Sequence, residues 1–137
     1  MATNLKIDPT NYNKFFYETL DGVEYVIHLY WNNSMSRRNF SKSGWYLSLY
    51  NSELFDEASL TDEQEIALIY GGIKLMPNSN VLGEAVMNTL PKGLLLCADT
   101  KPELGIRDDY YVGLDNFGTG KRFELYYYTE REVQELT

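Results

Sequence analysis

The sequence predicts an all-β fold, a small antiparallel β-sandwich or partly closed barrel with two long loop insertions and at most one or two short helices. Apolar and polar residues alternate strictly over residues 23–32, turn formers cut the chain into strand-length pieces, and aromatics reach 15%. About seven short strands result, the number a sandwich needs. The 137 residues form one β domain, residues 1–137, with a core expected over about 14–129.

Residues 14–20 form the first strand, with Phe16, Glu18 and Leu20 on one side and Phe15, Tyr17 and Thr19 on the other. Asp21-Gly22 supplies the positive φ of a tight hairpin. The returning strand places Tyr25, Ile27, Leu29 and Trp31 on its core face and Val26, His28 and Tyr30 opposite. A polar arm, residues 33–43, holds Arg37, Arg38, Phe40 and Lys42. Gly44 then opens a strand in which Trp45, Leu47 and Leu49 face inward and Tyr46 and Tyr50 outward.

A second arm, residues 51–65, carries Glu53, Asp56, Glu57, Asp62, Glu63 and Glu65 around Leu54, Phe55 and Leu60, and Ser59, Thr61 or Asp62 suits the cap of a short helix. Gly71-Gly72 divides residues 66–76 into two brief strands. Residues 81–89 have helical spacing, but Gly83 and Pro91 limit any helix to about two turns. Residues 93–99 read as a buried strand, and 101–109 as a loop.

The last strand contains three consecutive tyrosines. Phe123, Leu125 and Tyr127 share one face, while Arg122, Glu124, Tyr126 and Tyr128 share the other, so one core cannot take all three. Together with Tyr30, Tyr46 and Tyr50 this leaves surplus rings on several strands. Two readings follow: a protein contact surface, or a sheet whose outer rings are covered by loops or helices.

Twenty acidic against twelve basic residues give a formal charge of -8, which repels phosphate backbones, so no specific nucleic-acid binding is expected. Residues 1–10 lack an apolar or arginine-rich leader pattern, and no apolar run reaches membrane-spanning length, so no membrane partner is expected. Cys97, the single cysteine, lies in an apolar segment and reads as a buried thiol.

Chemical motifs fail on inspection. Residues 113–122 mimic a phosphate loop, but Asp115 stands where the first glycine should be, Arg122 replaces the hydroxyl residue, and a strand follows in place of a helix. The acidic runs lack calcium-loop spacing. His28 is the sole histidine; a triad with Ser48 and Glu24 lacks a nucleophile elbow. No catalytic, cofactor or metal residues are assigned, and no cofactor is expected.

The order of motifs adds a further expectation. Tyr25-Val26-Ile27-His28-Leu29-Tyr30 is followed by Gly44-Trp45-Tyr46-Leu47-Ser48-Leu49 and Gly71-Gly72-Ile73-Lys74-Leu75. Leu90-Pro91-Lys92-Gly93-Leu94-Leu95 and Gly113-Leu114 come next, ahead of Phe123-Glu124-Leu125-Tyr126-Tyr127. This order resembles the small baseplate plug proteins of contractile-tailed bacteriophages over roughly residues 14–129.

The resemblance implies a non-enzymatic virion component in the tail baseplate, a hub or plug subunit at the junction of tail tube and central spike, assembled in the host cytoplasm. Its implied partners are hub, tube-initiator, spike and wedge subunits and copies of itself in a symmetric ring. The expected interface residues are Tyr30, Arg37, Arg38, Phe40, Tyr46, Tyr50, Phe55, Tyr126 and Tyr128, with the basic arm of one copy meeting an acidic arm of a neighbour. A carbohydrate-binding β-sandwich using Trp31, Trp45, Tyr46 and Tyr50 is the alternative, and a small hydrolase using His28 ranks third.

Overall fold

The computed structural model describes residues 3–32, 44–55, 67–82, 91–106 and 110–136. Among these residues eight strands form two four-stranded sheets with antiparallel ladders, an open sandwich in which no closed barrel is seen. The strands are β1 (Thr3–Asn4), β2 (Asn13–Leu20), β3 (Val23–Asn32), β4 (Gly44–Asn51), β5 (Leu68–Lys74), β6 (Ser79–Asn80), β7 (Leu94–Asp99) and β8 (Phe123–Tyr128). One sheet has the order β2-β3-β4-β5, the other β1-β8-β7-β6. A short 3₁₀ turn (Pro102–Leu104) follows β7, and helix α1 (Glu130–Leu136) follows β8.

The β2–β3 hairpin forms as its turn chemistry dictates: Asp21 and Gly22 adopt φ of 53° and 79°, and every residue of β2 pairs across the turn. The inner faces then meet. Ile27, Leu29, Trp45, Leu47 and Leu49 from one sheet and Leu95, Cys97, Phe123, Leu125 and Tyr127 from the other are fully or almost fully buried. Sandwich cores are built from such alternating inward residues.

Three elements differ from the sequence expectation. β5 runs through Gly71-Gly72 as one strand, because irregular pairing with β4 absorbs the glycines and Gly72 takes a φ of 67°. The core also reaches back before residue 14: Leu5 and Ile7 are buried, Leu5 N–H bonds Leu125 O, and Ile7 N–H donates to Thr119 Oγ1. The C-terminal helix was unsuspected; the Thr129 hydroxyl accepts from Glu132 N–H while Glu132 Oε1 accepts from Thr129 N–H, a reciprocal capping box.

Two polar clusters bolt opposite ends of the β7–β8 pair. At one end Tyr127 donates its hydroxyl hydrogen to Asp21, and the same oxygen accepts Gly93 N–H at 2.9 Å. Asp21 also accepts from Glu130 N–H, so the hairpin turn of one sheet holds the start of α1 on the other. Burial and the Asp21 bond push the Tyr127 phenol well above its usual range. Gly93 has no room for a side chain: a Cβ would come 1.9 Å from Tyr128 O and 2.6 Å from the Tyr127 hydroxyl.

At the other end Asp99, its side chain 2% exposed, receives both arms of Arg122 at 2.9 and 3.0 Å and the Tyr110 hydroxyl at 2.9 Å. The Arg122 bond is the main cause holding the Asp99 carboxyl down at about 2. Arg122 also reaches Gly105 O at 2.9 Å and lies over the Tyr110 ring.

Candidate functional site

The outer face of the β2-β3-β4-β5 sheet carries a connected row of rings. Phe15 stacks on His28 with centroids 4.0 Å apart, His28 on Tyr30 at 4.5 Å, and Tyr30 on Tyr46 at 5.8 Å. Tyr50 and Phe55 close against Phe15 at 6.2 and 5.4 Å and touch each other at 5.4 Å. These contacts follow from register. Phe15 pairs with His28 across the hairpin, and Tyr30 pairs with Tyr46 across the next ladder, so rings of one parity fall side by side.

The face is open on the β2 side and more sheltered toward its middle. Phe15 and Tyr17 are exposed, Tyr30, Tyr46 and Tyr50 are half-buried, and Val26 and Ser48 on the same face are buried. β2 is one of the two edge strands of this sheet among the described residues, and its inward side includes Lys14 and Glu18. Lys14 Nζ donates to the carbonyls of Asp8 and Asn11. Inward charges of this kind discourage indiscriminate edge pairing.

His28 is built into the stack. Its Nε2 lies 2.6 Å from Asn13 Oδ1, and burial among the rings lowers its pKa to about 4. The imidazole is therefore neutral and ring-like at neutral pH. Its proposed triad partners are placed otherwise. Ser48 sits opposite His28 in register, but its Oγ accepts Gly72 N–H at 3.0 Å. Glu24 is four residues along the strand, roughly 13 Å away, too far to orient the ring. Cys97 faces the core with its thiol pushed up to about 12 by burial.

Of the expected interface residues, the structure brings Tyr30, Tyr46, Tyr50 and Phe55 together on this face. Tyr126 and Tyr128 are half-buried on the outer face of the opposite sheet, in register with Leu96 and Leu94. Arg37, Arg38 and Phe40 lie outside the described residues, as does most of the acidic arm. Phe15 and His28 join the row without having been expected there. The hairpin turn held the signal, since a two-residue loop at Asp21-Gly22 fixes Phe15 opposite His28.

The sugar platform named from sequence comes apart. Trp45 is fully buried, donates its indole N–H to Gly113 O at 3.0 Å, and packs on Phe117 and Trp31 inside the sandwich. Tyr46 and Tyr50 are on the other side of the sheet. The glycine-rich segment is likewise committed: Gly113 N–H bonds Asn116 Oδ1, and Gly118 N–H bonds Phe123 O. Among the described residues no cluster of three or more His, Cys, Asp or Glu side chains could hold a metal.

Comparison with known proteins places these features in context. No curated protein and no solved structure matches the chain. A family model described as the cyanophage baseplate Pam3 plug gp18 matches residues 2–130, a span that includes every strand of both sheets. On that match the chain belongs to the phage baseplate plug family, whose role is structural and whose place is the virion tail baseplate.

Proposed function

We propose that this chain is a hub or plug subunit at the junction of tail tube and central spike in a contractile tail, held there by protein contacts through its outer aromatic face. The observation that carries this is the continuous row from Phe15 through His28 and Tyr30 to Tyr46, with Tyr50 and Phe55 beside it. Rings of this kind combine large apolar area with hydroxyls that tolerate residual water, the composition of protein interfaces. Membership of the plug family makes other baseplate proteins the partners. Hub, tube-initiator, spike and wedge subunits and further copies in a ring are the candidates.

The two charged arms fit this role by where they are anchored. The basic arm connects Asn32 to Gly44, at the end of the sheet where Trp31 pairs with Trp45. The acidic residues 56–65 follow Phe55, beyond the opposite end of β4. Arms of opposite charge thus leave opposite ends of one sheet, as contacts between successive subunits require. In the same reading the net charge of -8 keeps passing DNA from adhering to the tube lumen.

The test is assembly in phage. Tails made with Tyr30→Ser plus Tyr46→Ser should lack the subunit or fail to complete the baseplate, and Arg37→Glu plus Arg38→Glu should weaken incorporation. Normal tails containing a stoichiometric aromatic-face variant would refute the contact role.

A further inference from the structure

Among the described residues the two sheets have four edges, and one of them is long and regular. β1 and β6 are two residues each, and β5 pairs irregularly with β4 where Gly72 takes a φ of 67°. β2 instead keeps register with β3 over all eight of its residues. Neither a bulge nor a proline blunts it.

Turn chemistry fixes which backbone groups this edge presents. The two-residue loop makes Leu20 and Val23 a hydrogen-bonded pair, so the even residues of β2 bond β3 and the odd ones turn N–H and C=O away. Asn13 shows the parity by giving its N–H to Asn11 Oδ1 at 3.2 Å. The outward groups of Phe15 and Thr19 have no partner among the described residues. On the inward side Lys14, Phe16 and Glu18 are half-buried next to buried Leu20. Glu18 has no hydrogen-bond or ionic partner among the described residues, and burial pushes its carboxyl up. Lys14 Nζ donates to two carbonyls, which leaves one of its three hydrogens.

We propose that two copies of this chain pair through β2, antiparallel and centred on Phe16, so that Lys14 of each lies opposite Glu18 of the other. Backbone parity allows this register: odd residues form the hydrogen-bonded pairs, Phe15 with Tyr17 and Asn13 with Thr19, and even residues the closer pairs, with Cα atoms about 4.5 Å apart. Slipping by two residues sets Lys14 or Glu18 against Phe16, and slipping by four sets like charges opposite each other. The inward charges thus refuse a strand that lacks their complement and admit one that has it.

The other charges nearby leave this match intact. Asp8 keeps its carboxylate on Thr10, and Asp21, bonded to Tyr127 and Glu130 N–H with Lys92 close by, faces uncharged Asn11 of the second copy. Glu24 lies one strand back, beside Thr19, with Asn13 of the second copy beyond it. Like charge belongs to the outer face, where Asp56 and Glu57 follow Phe55. At 0.15 M salt exposed charges are screened over about 8 Å, half-buried pairs much less. The contact is isologous and closes at two copies, joining two four-stranded sheets into one. It goes beyond the plug role and does not depend on it.

Light scattering on the purified full chain in about 0.15 M salt tests it. The wild type should reach twice the chain mass and go no further. Glu18→Lys and Lys14→Glu should each stay monomeric, and their mixture should recover the pair, because opposite charges then face each other at both positions. Thr19→Pro removes an outward N–H and spares the β2–β3 ladder, so it should keep the wild-type urea midpoint and stay monomeric. A wild type monomeric at every concentration, a pair that survives Thr19→Pro, or a mixture of folded charge variants that stays monomeric would overturn the proposal. So would a monomeric wild type whose Thr19→Pro variant is lost from tails, a result that gives the edge to a different baseplate chain and leaves the plug role standing.

Discussion

Tyr127 and Tyr30 show two uses of one residue type. Tyr127 is 2% exposed, its hydroxyl is spent on Asp21 and Gly93, and it locks the hairpin of one sheet to the other. Tyr30 is half-buried, stacked between His28 and Tyr46, on a face where Phe15 and Tyr17 remain exposed. The difference is pleating: Tyr127 shares a parity with Phe123 and Leu125, Tyr30 the parity opposite Ile27 and Leu29. The corner ties the two sheets together, and the outer row is the surface proposed to meet other chains.

Substitutions at the corner should therefore act on stability, and those on the outer row on assembly. Gly93→Ala should have the largest effect, about 3 kcal/mol or more, since a Cβ would overlap the Tyr128 carbonyl and backbone must shift. Urea unfolding reads it directly. Tyr127→Phe should cost about 1–3 kcal/mol by leaving the Gly93 amide and Asp21 carboxylate short of a partner. A Tyr127→Phe protein as stable as wild type would erase the contrast drawn between the two tyrosines.

Tyr46→Ser should shift the midpoint by only about 1 kcal/mol, the scale of a cross-strand ring pair, while reducing capture of baseplate partners at least tenfold in a pull-down from phage-infected cells. The pH response sharpens the comparison further. His28 is depressed in the fold to about 4 from an ordinary 6.5, so the unfolded chain binds more protons between those values. Stability should fall as pH drops from about 6.5 to about 4, and His28→Gln should flatten that segment. Asp99, lowered from 3.8 to about 2, contributes stability fully present above pH 3.8 and lost as pH falls toward 2, a loss that Asp99→Asn should abolish.

Much of this was legible because strands announce themselves by parity. The core residues of β3, β4 and β8 and the Asp21-Gly22 turn follow from alternation and turn chemistry alone. The pairing of Tyr30 with Tyr46 was hidden, since the long connection between β3 and β4 leaves register undetermined by sequence. Leu5 and Ile7 escaped notice because a two-residue strand is too short to show a period, and their burial depends on the distant β8 and Thr119. Helix α1 has its capping signal at Thr129 and Glu132, but its seven residues give little apolar pattern to detect. The Arg122–Asp99 clamp joins residues far apart in the chain, which only the β7–β8 ladder brings together.

The central claim is that the outer aromatic face is covered by another protein in the assembled tail. A cryo-electron microscopy map of intact tails containing this chain measures that directly. The account predicts Phe15, Tyr30 and Tyr46 buried against a neighbouring baseplate subunit; a subunit seated with that face open to solvent and its contacts made elsewhere would contradict it.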